Sequence, residues 1–145
     1  MHERDLDAGG TYLLEIAVAE ASNIEVGALG PVRFAADRYA YVGSAFGPGG
    51  LAARVGRHRE LAAGERESRH WHVDYLLGHG ETSLVGVVAF ADEDRECELA
   101  SALPGEPVDG FGASDCDCAG HLLAVPSSTS VREAGRVAGG RPTRF

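Results

Sequence analysis

From Thr11 to Val18, Tyr12, Leu14, Ile16 and Val18 alternate with Thr11, Leu13, Glu15 and Ala17, and this period of two predicts a β-strand with one buried face. A second run, Tyr39 to Ser44, is aromatic and β-branched and is broken by glycine, which predicts another short strand. Between them, Ile24-Glu25-Val26-Gly27 and Val32-Arg33-Phe34 flank Ala28-Leu29-Gly30-Pro31, the pattern of an inserted hairpin. Gly47-Pro48-Gly49-Gly50 is a break, and Leu51 to Ala63 reads as a helix on which Arg54 and His58, four apart, share a face. His70 to Leu77 predicts a second helix with Val73, Leu76 and Leu77 toward the core, and Ser83 to Phe90 a nearly continuous apolar strand of the central-sheet kind. A third helix is expected over Asp92 to Leu103, with acids in its first turn and Pro104-Gly105 as its stop, followed by a last short strand at His121 to Val125. From Pro126 onward there is little to bury, and the tail is expected to be loose. Strands and helices in this order give an α/β domain.

Composition narrows the setting. The chain has 145 residues, 44% of them apolar, enough for one modest core. No apolar run approaches the roughly eighteen residues of a membrane span, and Met-His-Glu-Arg-Asp is unlike a secretion signal, so a cytoplasmic protein is expected. Three cysteines, an odd number, argue against a disulfide framework. The net charge of −9, carried with arginine and no lysine, is unusual for a nucleic-acid binder and has the character of proteins from salt-loving archaea. At molar salt the Debye length is about 3 Å, so distant acids would repel a polyanion weakly. Locally the sign reverses: Arg54, Arg57, Arg59, Arg66 and Arg69 with three histidines face Glu60, Glu65, Glu67 and Asp74. Taken alone, that stretch also reads as a mixed-charge helix face, and Tyr12 and Tyr41 as core aromatics.

Two short tyrosine motifs, Gly10-Thr11-Tyr12 and Tyr41-Val42-Gly43, precede the Arg54/His58 helix. Further along come Tyr-Val-Gly-Ser-Ala at 41–45, Gly-Gly-Leu-Ala-Ala-Arg at 49–54, Arg-His at 57–58, His-Trp-His-Val-Asp-Tyr-Leu-Leu at 70–77, Glu-Cys-Glu-Leu-Ala at 96–100 and Phe-Gly-Ala-Ser-Asp-Cys at 111–116. In this order they resemble the GIY-YIG nuclease superfamily, and within it a little-characterised subfamily found alone or fused to endonuclease III-type DNA glycosylases. The resemblance implies a small, mostly antiparallel central sheet flanked by helices, with the hairpin inserted between the two motif strands. It divides the chain into an N-terminal extension (1–9), a GIY-YIG-like domain (10–125) and the Arg/Ser/Gly tail (126–145).

It also implies a metal-dependent endonuclease acting on DNA in repair, with a glycosylase as a possible partner and no membrane. Tyr12 and Tyr41 take the places of the motif tyrosines, one as base and one as orienter of water or phosphate. A phenol with a pKa near 10 needs a cation nearby to act as a base. Arg54 matches the helix arginine once three extra residues in Phe46–Gly50 are treated as an insertion, and its planar fork suits two phosphate oxygens. His58 is expected to touch phosphate or the leaving group, or to be a surface histidine. Arg57, His72 and Ser44 are the further substrate contacts. The ion, Mg²⁺ or Mn²⁺, needs a carboxylate from the third helix. Residues two apart on a helix face nearly opposite ways, and the spacing favours Glu98, with Glu96 as its rival. Cys116, Cys118 and His121 have the ligand types of a zinc site, although C-x-C is tighter than the usual spacing, and packed reduced cysteines are the alternative. The competing function is a binding module that grips DNA or a repair partner without cutting.

Overall fold

The computed structural model describes residues 8–35, 37–66, 72–103, 105–108, 121–125 and 131–143. The chain runs β1 (Gly10–Val18), β2 (Ser22–Glu25), a 3-10 turn (Gly27–Leu29), β3 (Pro31–Phe34), β4 (Arg38–Ala45), α1 (Gly50–Ala62), α2 (His72–Leu77), β5 (Thr82–Ala91), α3 (Glu96–Ala102), β6 (Glu106–Pro107), β7 (Leu122–Val125), α4 (Val131–Val137) and β8 (Arg141–Thr143). Six strands form one sheet in the order β6-β7-β4-β1-β5-β8, and β2 pairs with β3 in a separate ribbon, the inserted hairpin. Every pairing is antiparallel. The architecture is α+β, a mostly antiparallel sheet flanked by helices. No described helix is long and apolar enough to cross a membrane.

β1 sits at the centre, and both of its faces are buried, not one. Tyr12, Leu14, Ile16 and Val18 join Tyr39 and Tyr41 of β4, Leu51, Val55 and Leu61 of α1, and Val73, Leu76 and Leu77 of α2. Leu13 points the other way, into Val42, Val88, Phe90, Leu99 and Val131 beneath α3 and α4. Helices on both faces of a central strand remove the need for a polar side, so Thr11, too, is fully buried. A bulge between Glu15 and Ile16 skips Val85, which is left 43% exposed.

Two sequence expectations are corrected. The tail is not loose where it is described: Val131 and Gly135 of α4 are buried against the second face, and β8 pairs with β5 through Val87–Ala89. Gly135 makes this packing possible, since a Cβ there would lie 2.8 Å from Cγ1 of Val88. The third helix begins at Glu96, not Asp92. Residues 93–95 form a loop held by Thr11, whose hydroxyl donates to the Glu93 carbonyl (2.7 Å) and accepts from the Arg95 N–H (2.9 Å).

Candidate active site

The sheet register sets the tyrosines diagonally across from each other: Tyr12 lies opposite Gly43, and Leu14 opposite Tyr41. Their ring centroids are 6.4 Å apart. The glycine of the Tyr41-Val42-Gly43 motif makes room for its partner, because a Cβ on Gly43 would stand 2.5 Å from the Tyr12 ring and hydroxyl. His58, one turn after Arg54 on α1, completes the cluster, with centroids 5.4 Å from Tyr12 and 6.2 Å from Tyr41. The Tyr12 hydroxyl and His58 Nε2 are 2.6 Å apart. This is a short, buried hydrogen bond, and among the described residues His58 Nδ1 has no hydrogen-bond partner.

Burial governs the titration of all three groups. It pushes the Tyr12 phenol well above its ordinary value; the Tyr41 phenol adds to this, and the positive charge of Arg54 offsets only part. Tyr41 is raised for the same reason, with Glu96 reinforcing it and Arg54 opposing it. For His58, burial disfavours the cation and lowers the pKa to about 3, although Asp74 pulls the other way. At neutral pH the cluster is therefore two protonated phenols around an uncharged imidazole. His58 is 1% exposed, so it lies beneath the surface behind Tyr12 and is not a surface histidine.

Arg54 is half-buried and donates from Nη1 to the carbonyl of Ser44 (3.2 Å). It lines a cavity of about 170 Å³ with Ala45, Gly47, Pro48, Gly50 and Arg57. Arg57, expected as a phosphate contact, is instead bound by Asp74, Nη2 to Oδ2 at 2.7 Å, an ion pair in which Asp74 is completely buried. This pair ties α1 to α2, because an uncompensated carboxylate there would be costly. The sequence signal for it was an acid between Val73 and Leu76 on an otherwise core-facing helix. His72 opens α2 half-buried, and Ser44 takes part through its carbonyl. A larger groove of about 620 Å³ is lined by Gly56, Arg59, Glu60, Thr82 and Ser83, with none of the tyrosine cluster.

The helix register sets the two candidate carboxylates in different surroundings. Glu98 points outward, 61% exposed, and is ion-paired to Arg95. Arg95 also reaches Glu93 (3.2 Å) and the Ala138 carbonyl (2.8 Å) and lies 5.0 Å over the Phe90 ring, so Glu98 belongs to a structural network. Glu96, 21% exposed, is the acid whose field reaches Tyr41 and Tyr12. Because the helix begins four residues later than its acidic run, Glu96 occupies the first turn and turns toward the sheet end. Its carboxylate is 3.3 Å from Nδ1 of the buried His121. That contact engages one ring nitrogen of His121, the histidine of the expected zinc set; Cys116 and Cys118 lie outside the described residues. Among the described residues, no three His, Cys, Asp or Glu side chains gather as a metal cage.

The structure thus groups Tyr12, Tyr41 and His58, with Arg54 and Glu96 near enough for their charges to act on both phenols; Arg57 lines the Arg54 cavity, and Glu98 is turned outward. No curated protein and no solved structure matches the chain. A family model described as "Domain of unknown function DUF123" matches residues 11–139, from β1 through α4. The match takes in Tyr12, the whole of Tyr41-Val42-Gly43 and α4, and the chain belongs to the DUF123 family.

Proposed function

We propose that this protein is a metal-dependent DNA endonuclease, hydrolysing phosphodiesters at the sheet end formed by Tyr12, Tyr41, Arg54 and Glu96. The observation that carries the reading is the 2.6 Å contact between the Tyr12 hydroxyl and a neutral His58 Nε2. A buried phenol with a raised pKa is a poor base alone. Joined to an imidazole acceptor, it can take a proton from an attacking water while giving its own to His58. The field of Asp74 favours the charged ring that results. Arg54, whose charge acts on the same phenol, provides the cation for the charged phosphoryl group. Tyr41 orients water or phosphate beside it.

Glu96 fits a hard divalent ion, Mg²⁺ or Mn²⁺, which uses one or two carboxylates, keeps several waters and takes further oxygens from substrate phosphate. When bound, such an ion supplies charge neutralisation at phosphorus and help for the leaving oxygen. The competing reading, a DNA-binding module that does not cut, draws on a specific observation. Tyr12 and His58 are each 1% exposed and Tyr41 8%, so the hydroxyls lie beneath the surface. A cleavage screen over flaps, forks, abasic and mismatched duplexes with Mg²⁺ or Mn²⁺, at high salt, separates the two. The nuclease reading expects cutting of at least one structure that a chelator abolishes. Binding without metal-dependent cutting across the panel assigns the module.

A further inference from the structure

We propose that Phe46 is a stacking platform for an unstacked DNA base, so that the site's substrate is DNA in which a base has left the duplex stack; this rests on the DNA reading of the Arg54 site. Three large apolar side chains are well exposed among the described residues: Phe46 (55%), Val85 (43%) and Val137 (75%). Single exposed apolar residues are ordinary, and Val85 is accounted for by its bulge. Phe46 is the aromatic one of the three, and its position matters. It directly follows β4, the strand of Tyr41, and precedes Gly47 and Pro48, which line the Arg54 cavity. From Gly43, opposite Tyr12, to Phe46 the strand advances roughly 10 Å, within reach of a nucleotide next to a phosphate held at Arg54.

The ring also lies against neighbouring backbone. A Cβ on Gly9 would lie 3.0 Å from Phe46 Cδ1, so the backbone of Gly9 supports one edge while more than half of the residue stays open. A phenylalanine has no donor or acceptor with which to read a base edge, and it can use only a base face. In a paired duplex those faces are covered by their neighbours. They are available in single strands, flaps, bulges and damaged positions. The charge of the chain favours the same answer. With a net charge of −9, phosphate attraction alone gives a weak grip, and a stacked base adds affinity that does not depend on released counterions.

The test uses the full chain carrying Glu96→Gln, so that binding is read without cutting. Three probes are titrated: a paired duplex, the same duplex with one bulged 2-aminopurine, and a single strand containing it. The bulged and single-stranded probes should bind more tightly than the duplex, with a change in 2-aminopurine fluorescence. Adding Phe46→Ala should weaken both by about five- to a hundredfold, the range for one lost base–aromatic stack, and leave the paired duplex within twofold. Phe46→Trp should retain the discrimination, and the difference between Phe46 and Ala should persist from low to molar KCl. Equal loss on all three probes, or no loss on any, overturns the proposal while leaving the nuclease reading intact. If none of the probes binds, the DNA reading of the site fails with it.

Discussion

On the face covered by α3 and α4, Leu13, Val42, Val88, Phe90 and Leu99 pack around a buried threonine whose hydroxyl both donates and accepts. On the face covered by α1 and α2, the core is interrupted by two phenols with raised pKa values, a neutral histidine with an unpartnered Nδ1 and a buried Arg57–Asp74 pair. Polar groups in a core cost stability unless every donor and acceptor is met. The second face meets that condition at Thr11. The first carries the cost at His58, and it does so where Arg54 and Glu96 also approach. A sheet closed on both sides can thus divide its work, with one face holding the fold and the other a chemical site.

That division can be broken from either side. The largest stability effect should come from Leu99→Ala, which opens a cavity on the second face and should destabilise by about 2–5 kcal/mol. Chemical denaturation would measure it, and the folded fraction should retain parental activity. A matched pair of glycines sharpens the contrast at about 1–3 kcal/mol each. A Cβ at Gly43 would strike Tyr12, and one at Gly140 would lie 2.5 Å from Val88 Cγ1. Gly43→Ala and Gly140→Ala should lower the unfolding midpoint alike, but only Gly43→Ala should also lower cleavage, by tenfold or more. Equal activity losses would end the division.

Proton linkage offers an effect of comparable size. Unfolded, His58 takes up its proton near 6.5; folded, it does so near 3, so the unfolded state binds more protons in between. The stability it contributes is complete above about pH 6.5 and is lost as pH falls toward 3, at up to about 1.4 kcal/mol per pH unit. His58→Gln should flatten that slope in unfolding measured between pH 7 and 4. Finally, if the acidic shell suits high salt, midpoints should rise modestly between physiological and molar KCl as repulsion is screened. A flat or falling trend would remove that explanation of the charge.

The sequence was most readable where period and punctuation agreed. β1, the inserted hairpin and α1 follow from alternation, glycine breaks and helix formers, and Arg54 and His58 share a face because four residues make about one turn. Three features escaped it for physical reasons. Asp92 to Arg95 have the composition of a helix start, but Thr11, distant in sequence, holds that segment as a loop and shifts the phase that decides between Glu96 and Glu98. α4 packs through Val131, Ala134 and Gly135, small side chains whose packing comes from close approach and leaves no strong hydrophobic period. The Arg57–Asp74 pair depends on how α1 meets α2, which one chain's spacing does not reveal.

The central claim is that Tyr12 and His58, on the first face, form a phosphodiester-cleaving site together with Glu96 from the start of α3. The most direct test compares Glu96→Gln and Glu98→Gln for metal-dependent cutting of the best structure from the DNA panel, with binding measured alongside. The account predicts that Glu96→Gln loses cleavage by several orders of magnitude while still binding DNA, because charge stabilisation and water activation are forfeited together. Glu98→Gln, which disturbs only the exposed pair with Arg95, should cut within a few-fold of the parent. If Glu98→Gln abolishes cutting and Glu96→Gln does not, the carboxylate assignment is contradicted. If neither changes metal-dependent cutting, the site lies elsewhere.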